Sequence, residues 1–261
     1  MLGKSSILSA ETGDILAICV VTTVVMVLAG WIVSMLRRSP FSPTQSALYA
    51  LNYAIARVLW RAQIDGPFPV PPGQGAVIVC NHRCPLDPSF IAMTAPRAVH
   101  WMVAKEYCEH PAFRRLLRTC EVIPVRRGGV DMAAIRTAIR LVKNGELVGV
   151  FPEGRINTTT QMLLPGRSGA AMIALKASAP VVPCYIHGAP YDETTLGCLL
   201  MPAHVRLVIG APIELTADVD REDQHKTLKK LTRKLLKEIA RLGGQPDYEP
   251  QLAGHLQQPD E

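Results

Sequence analysis

The 261-residue sequence is poor in aromatic residues, which make up 5% of the chain. Proteins that bind single-stranded nucleic acid stack bases on aromatic side chains beside a basic groove, and no aromatic-rich basic strand occurs in this sequence. We therefore expect no nucleic-acid partner. The net charge of +6 nevertheless favours an anionic partner, such as a membrane surface or a phosphate-bearing ligand.

Three other features are missing. The seven cysteines are scattered and include no C-x-x-C pair, which is typical of reduced thiols in a cytosolic environment. Cys80, His82 and Cys84 have a spacing that metal ligands can use, but a fourth ligand is not evident, so no metal is expected. Neither a G-x-S-x-G motif nor a glycine-rich nucleotide loop is present, which disfavours a serine hydrolase and a nucleotide-binding fold.

The longest apolar run is Ile15–Leu36, with 22 residues and no charge. As a helix it would be about 33 Å long, enough to cross a hydrocarbon core. A signal peptide is disfavoured by the length and the lack of an A-x-A site, and an in-plane or re-entrant helix is the other alternative. Arg37 and Arg38 follow the run and only Lys4 precedes it, so the rest of the chain is predicted to lie on the cytoplasmic side of a membrane, anchored by residues 1–43.

Three further segments follow this anchor. Residues 44–66 are predicted to hold a connecting segment and an amphipathic helix, Thr44–Ala62, which either packs on the core or contacts the membrane. The Pro/Gly-rich stretch Pro67–Gly75 then opens the main domain, residues 67–242, which should carry the chemistry. Residues 243–261 are predicted to be a loosely ordered tail.

In the main domain, apolar runs alternate with stretches of helical periodicity. The predicted strands are Ala76–Cys80, Ala98–Val103, Glu121–Val125, Leu147–Phe151, Val181–Ile186 and Val205–Ile209. The predicted helices are Ser89–Ala95, Ala112–Thr119, Asp131–Lys143, Ser168–Ser178 and Glu222–Leu242. This alternation predicts an α/β fold with a mixed, mostly parallel sheet covered by helices. The basic face of the last helix is interpreted as solvated, with contact to an anionic membrane as the alternative.

A histidine and an aspartate follow the first predicted strand. Asp87 is predicted to be the N-cap of a helix, with Pro88 at its first position. Because Pro85 prevents a helix from running through this segment, the chain must turn, and a turn can bring the Asp87 carboxylate onto the His82 ring. A carboxylate on one ring nitrogen leaves the other free to take a proton. The pattern indicates a general base, although a structural histidine would have the same sequence.

Two other strands also end in polar, turn-prone residues. Arg126 and Arg127 stand beside two glycines. This combination is typical of a phosphate-binding loop, and an ordinary exposed loop is the alternative. The turn Pro152–Arg155 places an acidic and a basic side chain directly after a strand. They are interpreted as part of a site, and a surface ion pair within a tight turn is the alternative. Because ligands of open α/β sheets collect beyond the carboxyl ends of the strands, we expect the three polar clusters to form one site.

The segments NHRCPLD, VIPVRRG, FPEGR and APVVPCYI, in this order over about residues 76–190, resemble the four motif blocks of the glycerolipid acyltransferase family. The first block, N-H-x4-D, is matched by Asn81, His82 and Asp87. The second, G-x-I-P-V-D-R, is matched by Arg127, but Glu121 stands at its glycine position and Arg126 at its acidic one. The third, F-P-E-G, is matched by Phe151, Pro152, Glu153 and Gly154, followed by Arg155, and the fourth, a V-P pair, by Val182 and Pro183.

The resemblance implies an O-acyltransferase of phospholipid biosynthesis, of the 1-acylglycerol-3-phosphate type. His82 would act as general base, oriented by Asp87, on the hydroxyl of a lysophospholipid, and the alkoxide would attack the thioester of acyl-CoA or acyl carrier protein directly. The expected acceptor is 1-acyl-sn-glycerol 3-phosphate, which gives phosphatidic acid. The residues that would bind it are Arg127, Glu153, Gly154 and Arg155, with support from Asn81, Arg126, Pro152 and Pro183.

The acyl donor is a co-substrate in this scheme, and no further cofactor is expected. Membrane lipids are the expected surroundings, because acceptor and product are both lipids. The alternatives are a different acceptor (glycerol 3-phosphate, another lysophospholipid or a lyso-aminolipid), a thioesterase, or a non-catalytic membrane-anchored lipid-binding protein.

Overall fold

The computed structural model describes residues 22–23, 26–27, 30, 40–191, 197–215 and 224–254. The chain divides into two compact units, Met1–Ser46 and Ala47–Glu261. All but five residues of the predicted membrane segment, 15–36, lie outside the described residues, so that segment stays a prediction. No helix in the described part of the chain is long and apolar enough to cross a membrane.

From residue 40 onward, the helices in the described part of the chain are α1 (Pro43–Val58), α2 (Asp87–Ala92), α3 (Lys105–Glu109), α4 (Pro111–Thr119), α5 (Met132–Lys143), α6 (Gly169–Ala177) and α7 (Gln224–Leu242), with a 3-10 helix at Gly197–Leu200. The strands are β1 (Gln63–Asp65), β2 (Ala76–Cys80), β3 (Val99–Ala104), β4 (Ile123–Val125), β5 (Leu147–Val150), β6 (Val181–His187) and β7 (Arg206–Ile209).

The seven strands form one sheet in the order β1-β7-β6-β2-β5-β3-β4. Strands β2 to β6 are parallel to one another, and β7 is antiparallel to β6 and parallel to β1. Strands β2 to β6 therefore all end at one edge, called here the carboxyl edge, where β1 and β7 begin. This arrangement confirms the predicted mixed, mostly parallel sheet.

The central strand β2 is apolar throughout because both of its faces are covered, as in other parallel sheets. Val77 and Val79 belong to the hydrophobic cluster formed with α5, α6 and α7. Ala76, Ile78 and Cys80 belong to the cluster on the opposite face, with Trp60 and Phe90. The alternation follows from the two-residue period of a strand, and the two clusters hold β2 rigidly at the centre.

Several predicted bounds need correction. The helix predicted over Thr44–Ala62 ends at Val58, because Arg61 has a φ of +42° and the chain turns there into β1. Strand β1, with three residues, was missed, and it joins the same sheet, so the boundary predicted at residue 67 falls inside the second unit.

The predicted tail is also more ordered than expected over its described part. The Tyr248 hydroxyl donates to the Leu163 carbonyl at 3.1 Å, and Leu252 forms a β-bridge with Gly166. Residues 255–261 lie outside the described residues.

Candidate active site

The His82 ring and the Asp87 carboxylate meet at the carboxyl edge, just after the central strand. His82 Nδ1 lies 2.9 Å from Asp87 Oδ2, and the side chains are 15% and 0% exposed. The turn expected from Pro85 thus brings the two residues together. Because an ionised carboxylate only accepts hydrogen bonds, Nδ1 carries the hydrogen, and Nε2 is left as the proton acceptor.

Asp87 is not the N-cap that was predicted. The cap position is Leu86, without a side-chain cap, and Asp87 is the first helical residue. Its Oδ2 accepts the backbone N–H of Arg83 at 2.7 Å and of Cys84 at 2.9 Å, besides the His82 ring. All three donors belong to the turn that precedes the helix. The carboxylate therefore faces back toward this turn instead of capping the helix.

Glu153 holds the histidine segment from the other side. Its Oε1 accepts the His82 N–H at 2.8 Å, and its Oε2 accepts the Leu164 N–H at 2.7 Å. The side chain is 4% exposed. Burial raises the pKa of this carboxyl above its ordinary value, and the two backbone hydrogen bonds oppose that shift. Both oxygens are thus engaged by backbone amides, which fits a positioning role better than the acceptor-binding role that the resemblance implied.

The imidazole plane is supported by a stack of rings across three neighbouring strands. The His82 ring lies 3.9 Å from the Phe151 ring, with 8° between the planes, and Phe151 lies 4.6 Å from Trp101, at 16°. Gly149 leaves the space that this stack needs, since a Cβ there would stand 2.4 Å from the Trp101 ring. The stack restricts ring rotation at His82.

Arg83 and Asn157, which are not among the predicted site residues, connect the loop after β5 to the histidine segment. The Arg83 guanidinium donates to the carbonyls of Asn157 (3.1 Å), Thr159 (2.5 Å) and Gln161 (2.5 Å). The Asn157 N–H donates to the His82 carbonyl at 2.7 Å. No sequence signal identifies these bonds, because their acceptors are backbone carbonyls more than 70 residues along the chain.

Three of the four predicted supporting residues, Asn81, Pro152 and Pro183, lie on or directly after β2, β5 and β6. The Asn81 amide donates to the Ile186 carbonyl at 3.0 Å and accepts the Ile186 N–H at 2.8 Å, so it joins the end of β2 to β6. Pro183 lies inside β6, in register with Val79 of β2. Pro152 is buried in the turn after β5.

Gly154 and Arg155 follow on the exposed side of that turn. Gly154 has a φ of +71°, which favours glycine, and its N–H donates to the Phe151 carbonyl at 3.0 Å. A Cβ on Gly154 would stand 3.1 Å from Arg167 Nε, so a further arginine that the sequence analysis missed lies beside the turn. The clusters after β2 and β5 are in contact, since Glu153 accepts the His82 N–H. A single site that also includes the third cluster, after β4, stays a prediction.

The Arg126–Arg127 loop lies at the same edge but further away. Both side chains are exposed, and the Arg127 guanidinium carbon lies 5.7 Å from the Tyr107 ring centroid. Since β4 is the third strand from β2, about 14 Å separates the two strand ends at ~4.8 Å per strand. Glu121, at the family's glycine position, has a φ of +53° and so keeps the left-handed backbone that glycine would favour.

The buried thiols near His82 are not free to act as thiolates. Burial raises the pKa of Cys80 and of Cys84 above the ordinary thiol value. Among the residues that the structure describes, no group of three or more His, Cys, Asp or Glu side chains could hold a metal ion.

Comparison with known proteins gives consistent matches. A family model described as Acyltransferase matches residues 61–187. The 1-acyl-sn-glycerol-3-phosphate acyltransferase of Bacillus subtilis is 30% identical over 179 residues, which cover 68% of this chain and 86% of that protein. An uncharacterized protein of Mycobacterium tuberculosis is 31% identical over 222 residues, covering 66% of this chain and 59% of that protein.

The fold has a solved counterpart as well. The crystal structure of the 1-acyl-sn-glycerophosphate (LPA) acyltransferase from Thermotoga maritima matches with a TM-score of 0.56 and 20% identity, covering 82% of this chain and 88% of that one. At this identity the likeness shows a shared α/β fold. The Bacillus subtilis relative, which is covered over 86% of its length, and the matched family model place the chain among the acyltransferases. More narrowly, the chain belongs to the glycerolipid acyltransferase family, as its four motif blocks predicted.

Proposed function

We propose that the protein transfers a fatty acyl group from acyl-CoA or acyl carrier protein to the free hydroxyl of 1-acyl-sn-glycerol 3-phosphate, forming phosphatidic acid. The observation that carries the proposal is the His82–Asp87 pair, with Nδ1 2.9 Å from a fully buried carboxylate. The name of the Bacillus subtilis relative supports this choice of acceptor. Membrane attachment through residues 1–43, with the active site on the cytoplasmic side, is part of the proposal.

In the proposed reaction, His82 Nε2 takes the proton of the acceptor hydroxyl as the oxygen attacks the thioester carbonyl. The resulting imidazolium is stabilised by the Asp87 carboxylate through Nδ1–H. Collapse of the tetrahedral intermediate expels the donor thiolate, which takes the proton back from Nε2. No acyl-enzyme forms in this scheme, in keeping with the lack of a G-x-S-x-G motif.

The acceptor phosphate is assigned to the arginines of the carboxyl edge. A guanidinium binds a phosphomonoester through two parallel charge-assisted hydrogen bonds. Arg155 follows β5, the strand next to β2, and Arg127 follows β4, which is two strands from β5 and three from β2, or about 10 Å and about 14 Å along the edge. Both are exposed.

The test is a panel of lyso-acceptors offered with acyl-CoA and with acyl carrier protein, read by product mass. We expect phosphatidic acid from 1-acyl-sn-glycerol 3-phosphate, and no product from the His82→Ala variant. His110→Ala, which changes an exposed histidine at the start of α4, is the matched control and should keep wild-type turnover. Preference for another acceptor would contradict the substrate assignment, and release of free fatty acid without any acceptor would identify a thioesterase.

A further inference from the structure

The outward face of helix α7 carries a row of cations, called here the basic stripe. Lysine and arginine recur at intervals of three and four residues, which places them on one face of the helix. The stripe consists of Lys230, Arg233, Lys234, Lys237 and Arg241. From the first to the last of these residues the helix rises about 16 Å. Together with Glu238 and Pro246, the five side chains line a shallow depression.

Most of the charge on the stripe has no counterpart in the described part of the chain. Lys237 pairs with Glu249 at 2.5 Å, and Arg241 pairs with Glu238 at 2.6 Å. The other three cations are exposed and form no ion pair with any described residue. Five cations less two paired carboxylates leave an excess of three positive charges, which favours an anionic partner.

The stripe has no apolar side chains with which to enter a bilayer. A helix that lies in a membrane interface buries apolar side chains at the boundary with the acyl chains, while its cations meet the headgroups. The apolar side of α7 faces the protein core instead, and Leu228, Leu231, Leu235 and Ile239 are buried. None of the large apolar side chains that are exposed in the described residues lies on α7. The stripe therefore fits the hydrated acidic surface of a protein better than it fits a bilayer.

The shape of the stripe also favours a macromolecule over a nucleotide. Small molecules and cofactors bind in concave pockets that bury most of their surface. The depression on α7 is open, and its lining comes from one helix face and Pro246. Cations that repeat along about 16 Å match an acidic helix of a partner, because successive turns of the two helices then meet with opposite charge.

The stripe ends beside the candidate active site. Helix α7 packs on β6, the strand next to β2. Gly243 directly follows α7, and a Cβ there would stand 2.3 Å from Met162 Cε and 2.6 Å from the Tyr185 ring of β6. Met162 belongs to the loop after β5 that the Arg83 guanidinium binds through backbone carbonyls. Arg241, the last cation of the stripe, therefore lies near the loop that borders the His–Asp pair.

We propose that the basic stripe of α7 docks an acidic acyl carrier protein, whose thioester reaches His82 from the α7 side of the carboxyl edge. A carrier protein holds its acyl group at the end of a long flexible arm, so its docking surface lies beside the active site. The reaction is unchanged: the thioester C–S bond breaks, the ester C–O bond forms, and the thiol of the arm leaves with the proton. This inference rests on the proposed function, because it selects the carrier protein from the two acyl donors.

The first test compares the two donors with the full-length protein and one short-chain acceptor in solution. The variant Arg233→Glu/Lys234→Glu reverses two charges of the stripe. It should raise the KM for palmitoyl-acyl carrier protein about tenfold or more, because opposite charges across an interface become like charges. The kcat with this donor and the KM for palmitoyl-CoA should stay within about twofold of wild type, since neither residue contacts the His–Asp pair or its supports. Arg233→Lys/Lys234→Arg should keep the wild-type KM.

The matched control is Lys143→Glu/Lys176→Glu, which changes the net charge by the same amount. Both lysines are exposed at the ends of α5 and α6, which pack on the same side of the sheet as α7 but end at the opposite edge. This variant should leave the KM for either donor unchanged. An equal rise in the control would show general attraction between the two proteins and would overturn the inference. Equal losses with both donors, or an unchanged KM in the stripe variant, would also overturn it.

A binding measurement keeps the inference separate from the proposed activity. Fluorescently labelled carrier protein without its prosthetic arm should bind wild type saturably, as measured by anisotropy, and should bind Arg233→Glu/Lys234→Glu about tenfold more weakly or less. Binding to phosphatidylglycerol vesicles is measured in parallel. A variant that loses vesicle binding and keeps carrier binding would identify a bilayer as the partner and overturn the inference.

The two proposals fail in different ways. Wild type that acylates the acceptor from palmitoyl-CoA but neither binds nor uses the carrier protein would overturn the docking and leave the proposed function standing. Wild type that acylates the acceptor from neither donor would contradict the proposed function, while the anisotropy measurement would still decide the docking.

Discussion

Replacing Glu153 with Gln distinguishes a positioning role from an acceptor-binding role. The two carboxylate oxygens accept the N–H groups of His82 and Leu164 at 2.8 and 2.7 Å in a site that is 4% exposed. A Gln side chain offers one oxygen and one NH2 group, so one of the two amides would face a donor. Losing a charge-assisted hydrogen bond and leaving two donors face to face costs about 1.5–3 kcal/mol, and relief of the charge-burial penalty offsets part of this loss. We expect the free energy of unfolding to fall by about 1–3 kcal/mol.

The Glu153→Gln substitution should also lower the rate of catalysis. Whichever amide loses its acceptor, the carboxylate no longer bridges the His82 and Leu164 segments, so Glu153→Gln should lower kcat about tenfold or more, while the KM for the acceptor stays within about twofold. Urea unfolding and steady-state kinetics measure the two effects, and Glu109→Gln, at an exposed ion pair on α3, is the control. A raised acceptor KM with unchanged kcat and unchanged stability would refute the positioning role.

The same residue predicts a pH dependence. Burial raises the pKa of Glu153 in the folded protein, so the folded state binds this proton more readily than the unfolded state does. The contribution of Glu153 to stability is therefore largest below its unfolded pKa, and it is lost as the pH rises through the folded pKa. As the pH falls from above the folded pKa to below the unfolded pKa, the free energy of unfolding of wild type should rise relative to that of Glu153→Gln. A difference between the two proteins that does not change with pH would contradict this prediction.

Three further substitutions test the rest of the site. Asp87→Asn should lower kcat by about 10³-fold, because an amide cannot stabilise the imidazolium; near wild-type turnover would contradict the dyad. Arg127→Lys should raise the KM for lysophosphatidic acid about ten- to a hundredfold and leave the donor KM unchanged; an equal rise for monoacylglycerol would remove the phosphate assignment. Gly149→Ala should cost about 1–3 kcal/mol of stability by pushing the Trp101 ring, whereas Gly169→Ala, with open space at its Cβ, should cost less; equal melting temperatures would refute the packing argument.

The sequence alone was enough for several features that depend on near neighbours. The apolar run of β2 predicts a strand that is buried on both faces, and Asp131 predicts the start of α5, where its side chain accepts the N–H groups of Ala133 and Ala134. The N-H-x4-D spacing, with Pro85 inside it, predicts a turn that brings Asp87 to His82. The motif order identified the family for the same reason, because each block is a short local pattern.

The tertiary structure decided what depends on distant partners. An acidic residue after a strand can accept hydrogen bonds from a ligand or from the backbone. Only the fold brings the N–H groups of His82 and Leu164 to Glu153. The Arg83 guanidinium donates to backbone carbonyls that lie more than 70 residues further along the chain. The strand order, which places Arg127 at the far end of the edge, is set by the packing of both sheet faces rather than by any single segment.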